Sequence, residues 1–368
     1  MTVVMVKLGD IFDFKNGRAF KKEEWNLVGL PIVRIQNLND FKATYNYFNG
    51  EYDKAIEINE GDLLFSWSGT VGTSFGPHLW SRERGLLNQH IYKLNFNKNI
   101  IKEYAYYALL AITKEIEKSV NGAVGLVHVT KKSLNEFRIP LPSIQKQQKI
   151  VAKLDAIFAE IETATVAAEA NVNNAEALFQ SFLENLFLRI SEANKPLKLS
   201  NFIKLEYGKG LEDSDRELNG IYGAYGANGI KSKTNKFLYD KPSIVVGRKG
   251  SAGELTLVEE KFWALDVTYY VTHDFKKTDL TFLYYALKML NIPSLAKGIK
   301  PGINRNDVYD LTIAVPILSE QKLLVEKILF VNKNLEIAKN LYKSKCNELT
   351  LLKQSILHRA FNSELVKD

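Results

Sequence analysis

The chain has 368 residues, 46% hydrophobic and 25% charged, with a formal net charge of +7 and one cysteine, Cys346. That length holds two or three domains with proper cores, and the composition is that of a soluble globular protein. The lone cysteine excludes a disulfide framework and a cysteine-rich zinc site. No apolar run reaches 18 residues and Met1 to Asp10 lacks a signal-peptide pattern, so a reducing, cytoplasmic setting away from membranes is expected.

In chain order, residues 1–142 form a first block rich in aromatics, β-branched residues, Gly and Asn, in short runs bounded by turn signals. Asp62 to Phe65 predicts a strand leading into a Gly69–Gly72 turn, His90 to Leu94 a second alternating strand, and Glu103 to Val120 a helix. Residues 143–195 form a helical spacer with no Pro or Gly between Gln145 and Arg189. Residues 196–316 form a second block, with strands at Ser243–Val246 and Asp266–Thr272, a Gly247–Gly253 turn and a helix at Leu280–Met289. A second helical spacer, residues 317–368, closes the order. The two blocks each carry a net +3, from 18 basic and 15 acidic groups in the first and 17 and 14 in the second. Such a balance is compatible with nucleic acid without requiring it.

The two spacers say the same thing twice. Pro142 to Phe187 aligns without a gap on Pro316 to Phe361 at an offset of 174 residues, matching Gln147 to Gln321 and Leu183 to Leu357. One supersecondary unit used twice divides the fold into halves. The apolar spacing alternates fours and threes: Ile150, Leu154, Ile157, Ile161, Ala164, Ala168, Asn171, Ala175, Leu178 and Phe182. Shifted by 174, it runs Leu324, Ile328, Val331, Leu335, Ala338, Tyr342, Lys345, Leu349, Leu352 and Ile356. A seam of this period predicts a coiled coil, and two rods of roughly 60 Å with a block before each pair best antiparallel, with a pseudo-two-fold axis. The fold class is thus α+β: two mixed globular blocks and two long helices packed together. Asn171 and Lys345 interrupt the seam at equivalent places, either fixing register or marking a local seam shift.

Signals for chemistry are sparse. The chain lacks a phosphate-binding Gly-x-x-x-x-Gly-Lys-Ser/Thr loop, a Gly-x-Gly-x-x-Gly turn, a His-Glu-x-x-His helix and the Asn/Asp-Pro-Pro-aromatic motif of adenine methylation. Its five histidines, His78, His90, His128, His273 and His358, have no metal-ligand spacing, so no metal or cofactor is expected in this chain. A non-enzyme is favoured. A nuclease with a dispersed site and a structural coiled-coil adaptor are the alternatives.

The order of blocks and rods resembles the specificity subunit of type I restriction-modification systems. Ile139-Pro140-Leu141-Pro142-Ser143 through Gln147 and Val315-Pro316 through Glu320-Gln321 are similar to that family's helix starts, the first with Lys146 in place of the usual Glu. Tyr222 to Gly229 followed by Val246 to Gly253, and Gly61 to Gly72 followed by Asn88-Gln89-His90, look like two subclasses of its recognition domains. The resemblance implies two target-recognition domains reading a split, asymmetric site in double-stranded DNA, with the rods as ruler and docking surface for two methyltransferase subunits. Those partners would carry S-adenosylmethionine, and a restriction subunit using ATP and Mg can join them.

DNA-contact candidates follow from paired basic and Gly-rich turns. Asn16 and Arg18 match Lys209 across a Gly-basic turn, and Arg248, Lys249 and Ser251 lie in the glycine turn of the second block. Lys300, Asn304 and Arg305 match His128, Lys131 and Lys132 before the last strand of each block. Ser66, Trp67, Ser68, Tyr222, Tyr225 and Asn228 can stack or hydrogen-bond, and Asn88 and His90 suit base edges.

Overall fold

The computed structural model describes residues 4–40, 42–69, 73–119 and 127–361. The turn expected after Gly69, as far as Gly72, lies outside these residues, as do Val120 and the second spacer beyond Phe361. The chain divides into two compact units, Met1–Ala167 with Ser344–Asp368, and Ala168–Lys343. Both follow one plan.

In the first unit, β1 (Phe12–Asn16), β2 (Leu63–Ser66), β3 (Gly76–Leu79) and β4 (Ile91–Phe96) form an antiparallel sheet in the order β1-β4-β2-β3. In the second, β5 (Ile203–Tyr207), β6 (Ser243–Gly247), β7 (Leu255–Val258) and β8 (Thr268–His273) repeat it as β5-β8-β6-β7. Each unit adds a smaller sheet centred on a parallel pair, Leu30–Val33 beside Gly85–Leu87 and Tyr222–Gly226 beside Phe262–Ala264. A helix backs each main sheet: α1 (Lys102–Ser119), which buries Tyr104, Ala105, Ala108 and Leu109, and α3 (Leu280–Met289), capped by the Asp279 carboxylate. Spacing along these helices puts the buried residues on one stripe, which is why they fold onto a sheet face.

The long helices are α2 (Ile144–Ala193) and α4 (Leu318–Phe361). The first unit packs the start of α2, through Ile150, Leu154, Phe158 and Ile161, with the end of α4, through Leu357 and Ala360. The second packs the end of α2, through Leu183 and Ile190, with the start of α4, through Leu324 and Ile328. Starts meeting ends in both units is antiparallel pairing, and Lys339 ties it in the second unit with a 2.8 Å bridge to Glu176.

The expected seam needs one correction. Leu178 and Leu352, equivalent positions, are 59% and 46% exposed. The covered stripe moves instead to Phe179 and Lys353, whose ammonium sits 5.0 Å from the Phe158 ring. Lys345 is likewise exposed, with Cys346 half-buried beside it. Two consecutive steps of four, Asn171 to Ala175 to Phe179 and Ala338 to Tyr342 to Cys346, form a stutter that rotates each stripe by one residue. The local seam shift therefore explains Lys345, while Asn171 stays half-buried in its stripe.

The duplicated Pro and Gln residues form a joint between block and helix. Gln147 is buried; its Oε1 accepts from the Ile101 N–H (2.8 Å) and its Nε2 donates to the Pro142 carbonyl (2.9 Å). Gln321 does the same with the Asp279 N–H (2.8 Å) and the Pro316 carbonyl (2.7 Å), and also donates to the Lys277 carbonyl (3.0 Å). Buried amides persist where every polar atom has a partner, and here each joint supplies the partners from main chain.

Candidate nucleic-acid interface

At one end of each main sheet the two units share a main-chain frame. Gly17 N donates to Ile91 O, and Gly208 N to Thr268 O, at 3.1 Å in both. Arg18 N donates to Leu87 O at 2.9 Å, and Lys209 N to Ala264 O at 2.8 Å. Val129 N donates to Trp67 O at 3.1 Å, and Ile303 N to Arg248 O at 3.0 Å. A Cβ on Gly17 would land on the Asn88 carbonyl, and one on Gly208 on the Leu265 carbonyl, so both turns require glycine. This frame makes Asn16 equivalent to Tyr207, Trp67 to Arg248, Tyr92 to Tyr269 and Lys131 to Arg305.

In the first unit the frame carries an aromatic and histidine cluster. Trp67 stacks on Tyr92, with centroids 5.9 Å apart, and lies 5.1 Å from His90 and 5.6 Å from His128. Its indole N–H donates to Asn16 Oδ1 at 3.1 Å, and Ser68 Oγ lies 3.3 Å from His128 Nε2. Burial, aided by the facing His128 ring, holds the His90 pKa below the usual histidine value. Lys131 is engaged with the Phe14 carbonyl (2.7 Å) and Asp13, whose carboxyl is lowered by Lys15 first and opposed by burial. Beside the cluster, Phe20, Trp25, Arg34, Gln36, Asn88 and His90 line a cavity of about 300 Å³, with the Arg34 guanidinium 5.6 Å from the Trp25 ring.

In the second unit the same frame carries guanidinium groups. Arg248 and Arg305 lie 5.4 and 5.2 Å from the Tyr207 ring centroid. Arg248 also donates through Nε and Nη2 to the Asp266 carbonyl, at 3.2 and 2.8 Å. The glycine turn and the basic loop meet here: Gly250 N donates to Pro301 O at 2.9 Å, and Lys249 bridges to Gly302. Asn304 caps the following short helix through Oδ1 to Asn306 N at 2.9 Å. Lys209, Asn228, Lys249 and Lys300 are exposed, as is Lys132 in the first unit, and Ser251 is half-buried in its turn.

Three expected contacts face elsewhere. Ser66 is buried and donates to the Ser68 carbonyl at 2.8 Å, because its strand lies inside the sheet with both faces covered. Tyr225 is buried against Phe262, and Arg18 is spent on Glu24 and on the Phe20 and Phe48 rings. Tyr222 packs edge-on against Phe237. Sequence reasoning missed Tyr207, Tyr92, Trp25 and Arg34. For Tyr207 the signal was present, since it precedes the glycine of the paired turn. Among the described residues, no cluster of three or more His, Cys, Asp or Glu has metal-holding geometry, and no helix is long and apolar enough to cross a membrane.

Two units built to the same main-chain frame, each packed with a long helix, make this a duplicated protein. The family described as "Type I restriction modification DNA specificity domain" matches residues 2–171 and 192–344, and the chain belongs to that family, carrying its domain twice. The MjaVIII specificity subunit of Methanocaldococcus jannaschii is 22% identical over 385 aligned positions, covering 90% of this chain and 87% of that protein. The EcoBI specificity subunit of Escherichia coli is 26% identical over 167 residues, 45% of this chain but only 34% of its own length. A solved structure concerned with complex assembly and conformational transition of the type I R-M system superposes with a TM-score of 0.78 at 16% identity, covering 99% of this chain and all of that one. The HsdS subunit of Thermoanaerobacter tengcongensis gives 0.55 at 17% identity over 98% of this chain and 97% of its own. These two likenesses are of fold.

Proposed function

We propose that this chain is the non-catalytic reader of a type I restriction-modification complex in the cytoplasm, holding double-stranded DNA at a bipartite, asymmetric site. Residues 1–142 and 196–316 act as the two target-recognition domains, and 143–195 and 317–368 as the spacers that set half-site separation. The observation that carries this reading is the shared frame with unlike side chains: at equivalent main-chain positions one unit has Trp67, Asn16 and Lys131 where the other has Arg248, Tyr207 and Arg305. Two readers of equal shape and different chemistry suit a site whose halves differ. Linking them converts two weak contacts into one tighter contact with correctly spaced sites.

The spacers also seat two methyltransferase subunits, which bring S-adenosylmethionine, and a restriction subunit with ATP and Mg can join. An apolar stripe on α4 supports docking there: Leu323, Phe330 and Ile337 recur every seven residues, Leu341 follows a turn later, and all are exposed. Exposed apolar rows of this kind mark interaction surfaces. The equivalent positions of α2 are Lys149, Ala156, Thr163 and Ala167, so the two helices offer unequal faces.

The test is binding of duplexes with and without the methyltransferase subunit at two salt concentrations. Weak binding by the chain alone, and tight, sequence-selective, steeply salt-dependent binding by the complex, is expected. Equal and salt-insensitive binding with and without the partner would overturn the reading. Cleavage or modification of DNA by the chain alone would favour an enzyme instead.

A further inference from the structure

We propose that the second unit contains a guanine-reading site in which Arg305 is the base-contacting residue and Tyr207 positions it. This rests on the DNA-reading function proposed above. Tyr207 ends β5 and is 48% exposed, and its ring faces two guanidiniums whose states differ. Arg248 is fixed, with two of its nitrogens already donating to the Asp266 carbonyl. Arg305 makes only the ring contact, and its guanidinium has no hydrogen bond or ion pair among the described residues. An arginine held over a ring with its donors unspent loses less side-chain entropy on forming two parallel hydrogen bonds.

Two DNA groups accept such a fork: guanine, through O6 and N7, and phosphate. Geometry separates them. Phosphate can also be met by a point charge, and the exposed Lys209, Lys249 and Lys300 already supply such charges at this corner. Reading a guanine edge needs the planar fork, which these lysines lack. The equivalent residue of the first unit, Lys131, has no fork and is already engaged with Phe14 and Asp13, so the frame alone does not create this site.

The experiment uses the complex of the full chain with its methyltransferase subunit and duplexes bearing single base-pair changes across the methylated motif. For the unaltered complex, one half-site is expected to contain an essential G·C pair. Arg305→Ala should lose discrimination at that pair alone, by about 10–100-fold, with the other half-site and the salt slope unchanged. Arg305→Lys should lose it too while keeping the charge and the melting temperature. Tyr207→Phe should retain discrimination, and Tyr207→Ala should lose part of it. The proposal is overturned if neither half-site requires guanine or if Arg305→Ala has no effect. It is also overturned if that variant weakens all sequences alike and lowers the salt slope by about one, as a phosphate contact would. An unaltered complex with no sequence preference would instead sink the reading function itself, before any variant is measured.

Discussion

Where the first unit sets Trp67 among His90, Tyr92 and His128, the second sets Arg248 and Arg305 against Tyr207. The hydrogen bonds that hold these positions are the same in both and run between main-chain atoms. Shape at this corner is therefore fixed independently of chemistry, and the side chains are free to diverge. One corner is aromatic and contains a histidine whose pKa burial lowers; the other carries two guanidinium groups.

The harshest way to break this comparison acts on the spacers. Inserting a few residues beside Asn171 in α2 alone should abolish binding of the bipartite site by the complex, while matched insertions in α2 and α4 should change the preferred half-site spacing. Unaltered recognition after the one-sided insertion would show that the helices do not set the distance. Next comes the joint. Gln321→Leu strands the Asp279 N–H and the Lys277 and Pro316 carbonyls, and should destabilise the second unit by about 3 kcal/mol, read from denaturant melts. If the loss is below ~1 kcal/mol, the amide bridge is not what holds block to helix.

A smaller effect separates the two readers. Trp67→Ala should weaken specific binding about tenfold through loss of stacking, with changed preference in one half-site only. Altered preference in both halves would contradict independent readers. The mildest effect is on pH dependence. Burial lowers the pKa of His78 and His90 in the first unit and of His273 in the second. Each therefore takes up a proton in the unfolded chain, at the usual value of 6.5, before it does so in the fold. Stability is full above that value and falls as pH drops through it. Melting temperature should decline between pH 7.5 and 5.5, and His78→Gln with His90→Gln should flatten the decline more than His273→Gln does. A flat profile in the unaltered chain would exclude the histidines as the cause.

Duplication, helix period and the matched turns were legible because each leaves a spaced signature: the 174-residue offset, the fours and threes, and glycines where a carbonyl crowds the backbone. The paired basic loops were also found, and the glycine turn of the second block does meet the Lys300–Arg305 loop. What sequence could not show was direction. Ser66 and Tyr225 have plausible polar groups, but an inner strand covered on both faces and the packing of the smaller sheet bury them. Leu178 and Leu352 kept a perfect heptad on paper while an added step of four rotated the stripe past them. Tyr207 stood in the paired Gly-basic turn, but its role as a platform emerges only when two arginines from distant segments fold onto it.

The glutamine joints have a consequence for how such a chain can change. Both bind backbone atoms of the block, so neither depends on which side chains that block displays. A foreign block with a loop carrying one N–H and one carbonyl at the right places would plug into the same socket. Novel target choice could thus be acquired by cassette exchange, leaving the stalk unaltered.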